Sequence, residues 1–201
     1  MRQYWVAPLP PFRVADGPAF NTFTAFQQIL VNTTTPAPVI PANFLELGME
    51  LHLEADGEFS NTGTPTLGIG FRYGVATPAT DLALPTAITT TTGATSWPWH
   101  AEWHGQVRAV GTAGSVNGQG FWRIGTSLTA FASEQAIPNT LALRTVAIDT
   151  TTAQALAPAA VWGTSSVSNT IKVNRFSVWI TSRRRRSAAA SNSSSTSSPA
   201  R

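Results

Sequence analysis

Apolar and polar residues alternate along most of the chain, most regularly in the segment WPWHAEWHGQV at 97–107. A period of two residues is typical of a β-strand that buries one of its faces. The buried face of such a strand would carry Trp99, Ala101, Trp103, Gly105, Val107 and Ala109. The opposite face would carry His100, Glu102 and His104, and Pro98 stands at the start, where a strand tolerates proline.

Similar runs predict eight strands in all, separated by clusters of Thr, Gly, Pro and Asn. The predicted strands span 26–32, 49–59, 65–73, 98–110, 116–125, 141–149, 154–162 and 169–181. The buried sets of the second and third would be Leu51, Leu53 and Ala55, and Leu67, Ile69, Phe71 and Tyr73. In the last strand the apolar positions change parity between Val173 and Phe176, so we expect a β-bulge near Asn174.

The fold class follows from this spacing of short strands. No long stretch keeps a helical period of 3.6 residues, which argues against βαβ units. Long connections at 74–97 and 126–140 favour an all-β, antiparallel β-sandwich, with a jelly roll as the preferred topology and an immunoglobulin-like sandwich as the alternative. We divide the chain into an extended arm (1–22), the sandwich domain (23–181) and a flexible tail (182–201).

The two flanking segments differ from the domain in composition. The arm carries Tyr4, Trp5, Phe12 and Arg13 among prolines, and aromatic side chains on an extended arm are expected to contact the chain's own domain, a neighbouring subunit or a capsid. The tail is rich in serine and has little to bury, so we expect disorder there.

The tail begins with the run Arg183, Arg184, Arg185 and Arg186. Two interpretations are open: contact with nucleic acid or another acidic partner, or a solubilising end to the last strand. Arginines without interleaved aromatic residues bind phosphate only loosely and without sequence preference. The rest of the chain is slightly acidic, so a nucleic-acid partner is not expected for the domain.

Composition narrows the class of protein further. Only 11% of the 201 residues are charged, against roughly 25% in an ordinary soluble domain. Because charge keeps protein molecules dispersed, so neutral a surface favours a subunit that assembles with copies of itself. The absence of cysteine excludes disulfides and thiolate chemistry. We expect neither a classical secretion signal nor a membrane span.

The histidine pattern raises the question of a metal site. On a helix, His100 and His104 would share a face as zinc ligands do, whereas on a strand they share it with Glu102. Jelly-roll cupins use a His-x-His pair, but here Glu102 stands in place of the second histidine, and the only other histidine is His52. The polar face of a half-buried strand explains the pattern, so we predict no metal and no cofactor.

Catalytic patterns are absent from the sequence. There is no G-x-S-x-G nucleophile elbow, and no predicted helix follows the glycines to form a phosphate-binding loop. Most of the seven tryptophans fall in or beside predicted strands, where they would fill a core, although exposed ones could stack on sugars. We therefore predict that the protein is not an enzyme.

Three segments together resemble a known group of proteins. They are LELGMELHLEADGEFSNTGTPTLGIGFRYG (45–74), WPWHAEWHGQVRAVGTAGSVNGQGFW (97–122) and DTTTAQALAPAAVWGTSSVSNTIKV (149–173). In order and spacing, their strand and turn motifs resemble those of small jelly-roll virion proteins of tailed bacteriophages. The resemblance covers about 39–180 and excludes the arm and the tail.

The resemblance implies a structural protein made in the host cytoplasm and located on the virion surface. It implies a homotrimer that decorates a capsid through the major capsid protein or another virion protein, as a cement or minor capsid protein. The alternative is a receptor-binding module of a tail fibre or tail tip, with a host-surface glycan held by the loops at 74–97 and 126–140. A cupin-like metalloenzyme is the remaining alternative, from another class.

Overall fold

A computed structural model describes residues 17–30, 37–74 and 80–181, and these residues form an all-β fold with one short 3-10 turn. The strands are β1 (Gln27–Gln28), β2 (Val39–Ile40), β3 (Glu50–Ser60), β4 (Thr66–Tyr73), β5 (Thr80–Ala83), β6 (Ile88–Thr89), β7 (Trp97–Ala109), β8 (Gly114–Ser127), β9 (Ala130–Ile137), β10 (Thr145–Ile148), β11 (Gln154–Trp162) and β12 (Thr170–Thr181). The 3-10 turn spans Ala142–Arg144. Across these ranges no helix has the length and apolar character needed to cross a membrane.

The strands form two antiparallel sheets. The first has the order β1-β11-β4-β5, with β2 added on β11 and β6 on β4. The second has the order β10-β8-β7-β3-β12, with β9 added on β8. Its longest strands, β3, β7, β8 and β12, provide the surface on which the candidate site lies.

Side chains of both sheets form a shared core. Phe59 of β3 lies near Trp162 of β11, with ring centroids 6.4 Å apart, and Phe71 of β4 stacks on Phe176 of β12 at 6.2 Å. Four of the largest fully buried side chains are tryptophans, at Trp99, Trp103, Trp122 and Trp162. The prediction that tryptophans fill the interior is confirmed for these four.

The long strands match the alternation in the sequence. The predicted segments 49–59, 65–73, 98–110, 154–162 and 169–181 agree with β3, β4, β7, β11 and β12 to within one residue at each end. The buried sets on β3 and β4 are confirmed. The predicted bulge is present too, because the pairing of β12 with β3 shifts between Val173 and Arg175.

Other boundaries were wrong. The strand predicted at 26–32 is reduced to Gln27–Gln28 within the described residues, β8 is longer than 116–125, and only Thr145–Ile148 of the segment 141–149 is a strand. Ala109 is only partly buried, since a register shift follows Val107. The described residues hold twelve strands rather than eight. Three of the four additional strands, β2, β5 and β6, have two to four residues and are too short to show a period, and the eight-residue β9 carries no clear alternation.

Neither predicted long connection is an open loop where the structure describes it. Residues 126–140 contain β9, which forms a hairpin with β8. Residues 80–97 contain β5 and β6. The buried side chain of Asn61 holds this segment in place. It accepts a hydrogen bond from the backbone N–H of Ala94 at 2.8 Å and donates one to the Thr90 hydroxyl at 2.5 Å. The described parts of these two segments are therefore not open loops, and the glycan-binding role expected of them stays a prediction.

Part of the predicted arm pairs with the edge of the second sheet. Phe20 exchanges backbone hydrogen bonds with Ile171, and Gly17 donates one to Val173. The remaining predicted contact residues lie outside the described residues, namely Tyr4, Trp5, Phe12 and Arg13 of the arm and Arg183, Arg184, Arg185 and Arg186 of the tail. Residues 17–20 thus bring the arm to the edge strand β12.

A pair of facing glycines makes room for a core tryptophan. Gly105 of β7 is directly opposite Gly118 of β8, and the Trp103 indole covers both. A Cβ atom at Gly105 would lie 2.1 Å from that ring, and one at Gly118 would lie 2.2 Å from it. The absence of side chains at both positions is therefore required for Trp103 to fit.

We predict that Gly118→Ala destabilises the fold by about 1–3 kcal/mol, because the added methyl group overpacks against Trp103. Ser115 on the same strand points away from the core, so Ser115→Ala should change the free energy of unfolding by less than about 0.5 kcal/mol. Urea unfolding of both variants measures the difference. Equal stability of the two variants would contradict the packing argument.

Candidate functional site

The outer face of the second sheet gathers all three histidines of the chain together with several carboxylates. The pairing of β3 with β7 places His52 opposite His104, Glu54 opposite Glu102 and Asp56 opposite His100. Residues that are far apart in sequence therefore become direct neighbours on this face. Two clusters result, one around Glu102 and one around Asp56.

The Glu102 cluster consists of Glu102 and two histidines. Nε2 of His104 lies 2.5 Å from Oε1 of Glu102, and Nε2 of His52 lies 3.3 Å from the same oxygen. The two imidazole rings stack, with centroids 3.9 Å apart and planes 22° apart. The hydrogen bond from His104 lowers the pKa of Glu102, so this carboxyl group is ionised at neutral pH.

His52 is held in the interior of this cluster. Its ring lies between His104 and the indole of Trp179, whose centroid is 4.6 Å away. Burial, and then repulsion from His104, lowers the pKa of His52 below its ordinary value. This imidazole is therefore neutral at pH 7 and has a lone pair on one ring nitrogen.

The Asp56 cluster is an ion-pair network. Nδ1 of His100 lies 2.6 Å from Oδ1 of Asp56, and Nε of Arg175 donates a hydrogen bond to Oδ2 of the same carboxylate at 2.7 Å. The Arg175 guanidinium also forms an ion pair with Glu54. Burial acts to raise the pKa of Asp56, but the hydrogen bonds from His100 and Arg175 outweigh it and lower the pKa. The Arg175 guanidinium thus neutralises this end of the face.

The Glu102 cluster opens into a cleft of about 1090 Å³. His52, His104 and Gln119 lie on its floor. Trp179 on β12 lines one side, and Leu141 and Arg144, beside the start of β10, line the other. The cleft combines an aromatic ring, amides and ionisable groups, a set that can bind a small polar ligand or a cation.

The sequence prediction and the structure agree on one point and differ on another. His100, Glu102 and His104 share a face, as the alternation predicts. The close three-residue groups, however, are His52 with Glu102 and His104, and His100 with Glu54 and Asp56. These groupings leave no signal in the sequence, because they depend on the pairing of β3 with β7. Trp179 likewise lies in the cleft rather than in the core.

Comparisons with protein-family models, with curated proteins and with solved structures found no match to this chain. Arguments about function therefore rest on the residues themselves and on their arrangement.

We predict that Asp56→Asn lowers the free energy of unfolding at pH 7 by about 1 kcal/mol, since it weakens charge-assisted hydrogen bonds in a partly solvated site. Because the pKa of Asp56 is lowered by folding, its contribution is present above its unfolded value of 3.8 and is lost as the pH falls through the folded value. Urea unfolding at pH 7 and at acid pH should show the difference between wild type and variant shrinking as the carboxyl protonates. A difference independent of pH would contradict this assignment.

Proposed function

We propose that the protein is a structural protein of a bacteriophage virion, a trimeric capsid decoration protein that binds the shell surface and has no enzymatic activity. The resemblance of three segments to small jelly-roll virion proteins supports this proposal. The low content of charged residues supports it also, because such a surface favours assembly over dispersion.

The topology of the second sheet supports the jelly-roll part of the proposal. Its strands follow the spatial order β12-β3-β7-β8, in which the last strand returns to lie beside the first. A Greek key, the unit from which jelly rolls are built, has the same spatial order, although here β4, β5 and β6 of the first sheet lie between β3 and β7 in the chain. The pairs β3–β12 and β4–β11 are also nested, with the outer pair in one sheet and the inner pair in the other.

The observation that carries the proposal is that several large apolar side chains are exposed among the described residues. Leu47 and Val110 lie at one end of the second sheet, and Leu128 and Val167 lie at the other. Leu47, Leu128 and Val167 are each about two-thirds exposed or more (71%, 66% and 72%). Covering such residues with a partner removes apolar surface from water, which is the main driving force of association.

The edge strand β12 offers a second contact. Past Val173, no strand of the described residues pairs with its outer edge. Open edges favour pairing with another chain unless they are covered. Residues 17–20 meet the start of β12, and the sixteen residues before them can reach at most about 55 Å. Tyr4, Trp5, Phe12 and Arg13 are therefore within reach of a neighbouring subunit or of the capsid.

We predict that the purified chain sediments as a trimer, at three times its mass of 21.3 kDa. In purified particles, gel densitometry should give a copy number comparable to that of the major capsid protein. Leu47→Glu and Val167→Glu place a charge at opposite ends of the sheet. The substitution at the end that the capsid or a neighbouring subunit covers should lower the occupancy of the particles. Neither substitution should change the free energy of unfolding by more than about 0.5 kcal/mol. A monomer that is missing from particles would contradict the proposal.

A receptor-binding module of a tail fibre is a second candidate, favoured by the cleft. Trp179 presents an aromatic surface there, and Gln106, Asn117 and Gln119 add amide groups. Aromatic rings with a few polar groups around them are typical of sites for small polar ligands such as sugars. In such a module the cleft would take the role that the sequence suggested for the two loops.

For this candidate we predict reproducible binding of one class of sugar on a glycan array. Trp179→Ala should weaken binding by at least about tenfold, because it removes the aromatic wall of the cleft. Leu47→Ala, which alters an exposed residue outside the cleft, should leave binding unchanged. An array without reproducible binding, together with a copy number near that of the capsid protein, would favour the decoration protein.

A further inference from the structure

We propose that His52, Glu102 and His104 form a binding site for a divalent transition-metal ion such as zinc, beside the floor of the cleft that His52 and His104 line. This site is independent of the proposed role in the virion. The sequence indicates no such site, because its ligands come from two strands, β3 and β7, that are separated by 36 residues.

The convergence of the three side chains is the first argument. All three point from the outer face of neighbouring strands, and both imidazole Nε2 atoms approach the same carboxylate oxygen. Their ligand atoms lie within 4.8 Å of one another. Because both strands are central in the sheet, the backbone spacing of the ligands is fixed without the ion.

An orphaned nitrogen is the second argument. Nε2 of His52 is buried and has no hydrogen-bond partner among the described residues, although it lies 3.3 Å from Oε1 of Glu102. Buried polar atoms normally have a partner, and one that lacks it indicates an ion, a water molecule or a functional role. The nitrogen faces the point on which His104 and Glu102 converge, so an ion at that point would satisfy it.

The donor set fits the proposed ion. Two imidazoles and one carboxylate are a common protein ligand set for zinc, with bonds of about 2.0–2.2 Å and a further position left open. Ligand atoms in such a tetrahedral site stand about 3.3 Å apart, so His104 and Glu102 would separate by about 1 Å as the ion replaces their hydrogen bond. His104 is more than half exposed, which leaves its side chain free to make this adjustment.

The other group of three ligands is a poorer candidate. Glu54, Asp56 and His100 also lie close together, but Arg175 contacts both carboxylates. A metal ion there would have to displace the guanidinium or face its positive charge. Among the described residues, no lysine or arginine contacts the Glu102 cluster; the further group that approaches it is His100, whose Nε2 lies 3.9 Å from Oε2 of Glu102. The two histidines of the cluster also line the cleft.

The open position gives the site a defined chemistry. A zinc ion on three protein ligands would bind water or an oxygen of a ligand in the cleft. Gln119 on the floor and Trp179 on one side lie around that position. The site would therefore select ligands that offer an oxygen donor beside an apolar face.

The test is zinc binding by the full chain, expressed without a histidine tag and stripped with a chelator. Calorimetric titration with zinc should give one ion per chain. His104→Asn and Glu102→Gln each remove one ligand and should weaken binding by at least about tenfold. His52→Gln should do the same, and its far-ultraviolet circular dichroism will show whether the fold is kept.

His100→Gln is the matched control, since it changes a histidine on the same strand and face that is not one of the three proposed ligands, although its Nε2 lies 3.9 Å from Oε2 of Glu102. It should bind zinc as the wild type does, within about twofold. Wild-type chain that retains less than about 0.1 equivalent of zinc after dialysis against micromolar zinc would overturn the proposal. Equal binding by wild type and His104→Asn would overturn it as well.

Discussion

The pairing of β3 with β7 is the constraint on which the rest of the structure depends. It places Trp99, Ala101 and Trp103 in the interior and, by the same alternation, His100, Glu102 and His104 on the outer face. A slip of one residue would exchange the two faces. The register is held from the inside, because Trp103 fits only over the glycine pair Gly105 and Gly118. Core packing therefore fixes the geometry of a polar surface that contributes little to the core.

The same register places two like charges side by side and also brings partners of opposite charge or hydrogen-bonding partners close to each of them. Glu54 stands directly opposite Glu102, and like charges in that position repel each other. Arg175 pairs with Glu54 on one side, while His104 and His52 approach Glu102 on the other. At one end of the face the carboxylates are paired with the Arg175 guanidinium, and at the other end Glu102 is contacted by imidazole rings. Only the second end is suited to take a cation from solution.

The sequence predicted what depends on local period. The five long strands, the bulge after Val173 and the four buried tryptophans all follow from the parity of side chains within one strand. The short strands and the β8–β9 hairpin were missed, because small and polar residues such as those of β9 carry no clear alternation. The Glu102 cluster could not be found, since it requires the alignment of two strands. The period of the alternation shows on which face of a strand a residue lies. The register between strands decides which residues are its neighbours, and the register is known only from the structure.

The proposed assembly contacts and the proposed binding site lie on different parts of this domain. The exposed apolar residues Leu47, Leu128 and Val167 lie in connections at the ends of the sheet, and the edge that no described strand pairs with beyond Val173 belongs to β12. The cleft lies on the face between these regions, with its floor on the central strands. A partner that covers the ends and the edge leaves the face open, provided that Trp179 on β12 stays accessible. A structural subunit can therefore carry a binding site without weakening its contacts, because the two depend on separate side chains of the same rigid sheet.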